Sequence, residues 1–131
     1  MKVFDFFRRP MGGCLLVILL VIIGLAVFVY GLDRVCYNGL SQRVPIYPGA
    51  EIVSSQHNLF SDFGMGNTVM VLMTPDNADD VRAWYARQTG EYLRRALQNN
   101  EFAFRIAQGD WDVTPLEDGG AQIILFGTCA N

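Results

Sequence analysis

The single histidine, His57, stands in a segment that also carries Ser54, Ser55, Ser61 and Asp62. A hydroxyl, an imidazole and a carboxylate are the parts of a nucleophilic hydrolase, in which the imidazole takes the hydroxyl proton and the carboxylate orients the ring. The spacing does not support that chemistry, because no Gly-x-Ser-x-Gly elbow presents a serine on a sharp strand-to-helix turn. His57 is expected to be a partly exposed strand-end residue without a catalytic role. Zinc, copper and haem sites draw on several nitrogen or sulfur ligands. Here one histidine and three widely separated cysteines, Cys14, Cys36 and Cys129, form no Cys-x-x-Cys or Cys-x-x-Cys-His motif. Gly64-Met65-Gly66 lacks a third glycine and does not open a helix, so it reads as a loop and not as a phosphate cradle. The expectation is a protein that is not an enzyme and holds no metal or cofactor.

The elements that would position these residues begin with a hydrophobic run. Residues 10–32 contain no charged side chain, and residues 11–32 would make about 33 Å of helix, enough to span a hydrocarbon core. A cleavable signal peptide has a shorter apolar region ending in a small-x-small site, whereas this run ends in Gly31-Leu32-Asp33-Arg34, so an uncleaved signal anchor is expected. Lys2, Arg8 and Arg9 crowd the N-terminal flank, which places the N-terminus in the cytoplasm and the remainder in a periplasm or outside the cell. The run has no Asp, Glu, Lys, Arg, His, Asn or Gln, and so lacks the groups from which ion pathways and proton relays are built. The expected organisation is a cytoplasmic tail at 1–9, a transmembrane helix at 10–32, a juxtamembrane connector at 33–44 and a small domain at 45–131.

In that domain, Pro45 and Pro48-Gly49 punctuate the chain before a strand at 51–60, a polar loop at 61–67 and a buried strand at 68–74. Asn77 supplies a helix cap and Asp79 and Asp80 first-turn acids. Val81, Trp84, Tyr85, Gln88, Tyr92, Leu93, Ala96 and Leu97 recur at helical spacing, which predicts one amphipathic helix over 78–99. Three short strands follow at 102–107, 111–116 and 121–127, the last two joined by Asp118-Gly119-Gly120. The fold class is α+β: one N-terminal transmembrane helix, then a small antiparallel sheet in the order strand, strand, helix, strand, strand, strand, with the helix packed on it.

Charge excludes one class of partner. From residue 35 onward, six arginines face eleven acids, a balance of −5, so there is no basic surface to neutralise nucleic-acid phosphates. At 51% apolar and 18% charged, the chain is also not a disordered regulator. Arg87, Arg94 and Arg95 lie off the apolar stripe and are candidates for contact with anionic lipid headgroups or an acidic partner. Cys36 and Cys129 flank the domain and form an even pair in an oxidising compartment, which makes them a candidate disulfide with Cys14 left as a thiol.

The run Pro45-Ile46-Tyr47-Pro48-Gly49-Ala50, the step Thr74-Pro75-Asp76 into a helix, and Val81-x-x-Trp84-Tyr85 followed by a Trp-led hairpin resemble a small ectodomain found in uncharacterised bacterial single-span membrane proteins. The resemblance covers residues 45–127, implies the same α+β ectodomain on the bacterial inner membrane, and brings no catalytic residue. The architecture is also similar to that of accessory subunits of bacterial respiratory and photosynthetic complexes. That likeness implies a non-catalytic, single-pass accessory subunit that binds and stabilises a larger membrane complex, with electron transport as the implied setting. The alternative is an anchored envelope module that senses or holds a small ligand among its aromatic side chains.

Overall fold

The computed structural model describes residues 10–61, 64–100 and 105–129. Helix α1 runs without a break over Pro10–Arg43 and ends where Pro45 disfavours helical backbone at the residue before it. Its Leu, Ile, Val and Phe side chains between Leu15 and Tyr30 are largely exposed, Val27 to 66%, and the helix is long and apolar enough to cross a membrane. Of the residues read from sequence as a connector, 33–44, all but Val44 are the last turns of this helix. They are also its amphipathic part, with Asp33, Cys36, Gly39 and Leu40 buried at three- and four-residue steps. The expected tail at 1–9 lies outside the described residues. The chain divides into two compact units at the Leu32–Asp33 bond, so the last turns of α1 belong to the second unit.

That second unit holds strands β1 (Glu51–Ser61) and β2 (Gly64–Thr74), helix α2 (Ala78–Asn99), and strands β3 (Ala107–Pro115) and β4 (Ala121–Cys129). The sheet is antiparallel throughout, in the order β1-β2-β4-β3, so the last strand lies between β2 and β3. Four strands stand where five were expected among the described residues. The break expected between 107 and 111 is absent, and Ala107–Pro115 is one strand; the front of the other expected strand, 102–104, lies outside the described residues. The expected loop at 61–67 is also largely strand, since β2 begins at Gly64.

Helix α2 starts at Asn77, whose side chain accepts from the Asp79 amide, and ends at Asn100 in the left-handed conformation, whose amide donates to the Ala96 carbonyl. Val81 and Tyr85 pack with Leu72, Val113, Ile123 and Leu125 in the main core, to which Val44 beyond the end of α1 also contributes. Both helices thus cover the same face of the sheet. Leu93 and Leu97, counted with the apolar stripe from sequence, are 44% and 64% exposed, because the covered stripe on these turns is the narrower one of Tyr92 and Ala96, each one position before them. Arg82, off the apolar stripe, donates its guanidinium to the Val113 carbonyl at 2.8 Å and ties α2 to β3.

On the opposite face of the sheet, the pairs Val69–Phe126 and Val71–Ile124 stack beside Met73. Phe126 and Met73 are 43% and 41% exposed there, which leaves an apolar stripe along the two central strands.

Candidate functional site

The polar groups of the domain converge where the last turns of α1 meet the sheet. Asp33, the first residue after the charge-free run, is buried on α1, and His57 reaches it from the edge strand β1. His57 Nε2 lies 3.2 Å from Asp33 Oδ1 and 3.3 Å from Oδ2, while Nδ1 lies 2.7 Å from Thr68 Oγ1 on the paired position of β2. The arrangement that satisfies these groups has the Thr68 hydroxyl donating to Nδ1 and the Nε2 hydrogen directed to the carboxylate. Tyr37, one turn along α1, sets its ring edge-on to the imidazole with centroids 5.5 Å apart.

Room for Asp33 is made by backbone. Between Met65 and Thr68 the β2–β4 register slips by one residue, a bulge in which Gly66 takes φ +68°. A Cβ at Gly66 would lie 2.9 Å from Cys129 Sγ and 3.0 Å from Asp33 Oδ1, so the bulge lets both side chains come close to the sheet. Cys36 and Cys129 are joined as a disulfide with Cα atoms 5.9 Å apart, and Ala107 is buried against it. Cys14 is a free thiol. Further along, Gly109 and Gly127 face each other across β3 and β4, and Leu40 lies on the bare backbone of both. Arg43 closes the last turn by donating to the Ala107 carbonyl at 2.8 Å.

Thr68, His57 and Asp33 form a hydroxyl, imidazole and carboxylate chain, but from different residues than the sequence offered. Ser54 and Ser55 are exposed on β1, Asp62 lies outside the described residues, and the partners of His57 come from 24 residues before it and 11 after it. Thr68 is only 3% exposed. The apolar cleft beside it, between Tyr37, Leu40, Met70 and Leu125, holds about 80 Å³. Small-molecule sites enclose about 300 to 1,000 Å³, so this one suits a few waters and no substrate. The trio is positioned to tie α1 to β1 and β2. A wider depression of about 630 Å³ at the start of β3 is open to solvent. Its two guanidiniums are engaged, Arg43 with Ala107 and Arg105 with the Asn100 side chain. Among the described residues no group of three His, Cys, Asp or Glu side chains is placed to hold a metal ion.

The aromatic side chains that a ligand-binding reading would use are packed on one another. Tyr85 is fully buried and stacked on Trp111 at 5.3 Å, Trp84 meets it edge-on at 4.8 Å, and Tyr47 meets Trp84 edge-on at 5.1 Å. Burial pushes the Tyr85 phenol up to about 12. Tyr47 is also raised, chiefly because its hydroxyl donates to Asp76 Oδ2 at 2.8 Å, a bond that ionisation would break. Of the arginines singled out as contact candidates, Arg87 lies mid-way along α2 and Arg94 and Arg95 near its end, all exposed. No family model, curated protein or solved structure matches the chain.

Proposed function

We propose that the chain is a non-catalytic, single-pass membrane subunit that holds a compact domain against a larger membrane protein complex. The observation that carries this reading is α1 itself. Its exposed apolar face has no charged side chain between residues 10 and 32, a surface suited to lipid tails and to the flanks of other transmembrane helices and to little else. The domain adds support, since the apolar cleft beside Thr68 is too small for a substrate while the open sheet face carries the stripe of Val69, Val71, Ile124 and Phe126. In this reading the N-terminus is cytoplasmic and the domain lies on the outer side of an inner membrane. Electron-transport complexes are the first class in which to look for the partner, on the likeness in architecture.

Copurification tests the proposal. A C-terminally tagged chain extracted in mild detergent should bring down a membrane protein in stoichiometric amount, and Phe126→Asp should release it without unfolding the domain. Recovery of a monomer carrying a small molecule would replace this reading with that of an anchored ligand-binding module.

A further inference from the structure

We infer that β1 is the interface of a symmetric dimer, in which two copies of this chain pair their β1 strands antiparallel about Gln56 and join their four-stranded sheets into one continuous sheet. The inference concerns the second compact unit alone and holds whatever residues 10–32 do, so it goes beyond the proposed function without resting on it.

β1 is an edge strand of 11 residues with only β2 beside it. Leu72, Val113 and Ile123 carry β2, β3 and β4 into the main core. β1 sends nothing there: residues 51–58 and Phe60 are exposed, and Leu59 is half-buried. Edge strands that stay single are kept short, or carry lysine or proline against further pairing. β1 has no Pro, Gly, Lys or Arg, and its one register shift, at Val53, leaves the ladder from Ser54 to Ser61 in a single register. The opposite edge is guarded. On β3 the Ala107 and Val113 carbonyls already accept from Arg43 and Arg82 at 2.8 Å, and Pro115 ends the strand.

The occupant follows from the order of residues along β1. Ser54, Ser55, Gln56, His57 and Asn58 make a polar middle, with Ile52 and Val53 before it and Leu59 and Phe60 after it. That pattern is a palindrome about Gln56, the central residue of the strand. Antiparallel pairing of two copies sets Gln56 opposite its own counterpart, Ser55 opposite His57 and Ser54 opposite Asn58. It also brings Ile52 and Val53 of each copy beside Leu59 and Phe60 of the other. Ile52, Val53 and Phe60, exposed by 47%, 57% and 70% in the single chain, thereby gain apolar neighbours across the new pair. Such self-complementarity is what a twofold interface demands, because the same patch must serve on both sides. Charge agrees with it. Glu51 is the only Asp, Glu, Lys or Arg in the strand, and the antiparallel arrangement holds its two copies at opposite ends of the ladder, about 34 Å apart. The His57 imidazole keeps its contacts with Asp33 and Thr68, since strand addition uses only its backbone.

Cysteine pairing in the full chain tests the register. With Cys14→Ser as background and mild detergent as solvent, Gln56→Cys should bridge to itself on gentle oxidation, because directly opposed residues have Cα atoms about 4.5 to 5.5 Å apart. Ser54→Cys should bridge poorly alone, its two copies lying about 14 Å apart along the ladder, and readily when mixed with Asn58→Cys. Bridging at 56 no faster than at Asp118→Cys on the far turn, or slower than self-bridging at 54, would overturn the inference. Sedimentation without added cysteines gives a second measurement. Gln56→Lys sets two ammonium groups face to face on the twofold axis and should weaken the dimer about tenfold or more, whereas Phe126→Asp on the open sheet face should leave it unchanged. A chain that is monomeric at every concentration, or equal losses from the two variants, would overturn the inference. So would a bridge in native membranes from position 56 to another protein in place of the self-bridge, which would assign the edge to a foreign strand.

Discussion

A carboxylate taken out of water at the end of an apolar helix is costly unless something answers its charge, and in this domain His57 does so. Removing the imidazole leaves Asp33 Oδ2 and the Thr68 hydroxyl without their partner. His57→Ala should therefore destabilise the domain by about 1 to 3 kcal/mol, read as a lower urea midpoint with unchanged slope. An unchanged midpoint would mean that water replaces the ring at no cost. A second residue-scale effect belongs to Tyr85. Its pKa is 10.0 when unfolded and about 12 in the fold, so its contribution is fully present below pH 10 and is lost as the pH rises toward 12. Thermal melts across that window should fall for the native chain, and Tyr85→Phe should flatten the decline; the raised phenol of Tyr47 leaves a remainder with the same sign. Tyr85 stood on the apolar stripe read from sequence, but the seat of His57 could not be located there. The Asp33–His57 contact joins a helix to a strand 24 positions away, and no local pattern encodes such a pairing.

At the scale of elements, the seat of α1 on the sheet depends on two missing side chains. Gly127 and Gly109 are paired, and a Cβ at Gly109 would come within 2.7 Å of Leu40 and 2.9 Å of Val44. Gly127→Val should cost about 1 to 3 kcal/mol by overpacking. Leu40→Ala should recover part of that loss in the double variant, a coupling that a mutant cycle measures directly. Additive losses would show that α1 does not bear on β4 there. The same pair explains where the sequence reading of β3 stopped short. Gly109-Asp110 reads as a turn signal, but this glycine keeps the strand running and gives its side-chain space to α1. Helix α2, by contrast, was legible to the residue, because its cap and first-turn acids are local features. Leu93 and Leu97 kept the helical period that marked them as core. Period reports only that a face is apolar, and the part of it that is covered on these turns is the narrower stripe of Tyr92 and Ala96.

At the scale of the molecule, the disulfide joins the last turns of α1 to the end of β4, 93 positions later. Cross-linking a loop of that length limits the unfolded chain enough to contribute about 4 to 5 kcal/mol. Cys36→Ser with Cys129→Ser should therefore unfold at a much lower urea concentration. Alkylation of native membranes without reductant should modify Cys14 alone, and labelling of all three thiols would refute the bond in vivo. Protease added to intact spheroplasts should remove the domain and leave the anchor, and full protection would reverse the proposed orientation. The strand order also governs when the domain can exist. β4 is the last in chain order of the four strands among the described residues, and it is the one that joins the β1–β2 hairpin to β3 and carries the partner of Cys36. Until it emerges, β2 has an open edge, Leu40 lacks the Gly127 backbone to lie on, and Cys36 stays a thiol. A nascent chain that has not yet exposed β4 is thus a hairpin and a loose helix, open to chaperones and to mispaired disulfides, and the domain can close only once that strand has emerged.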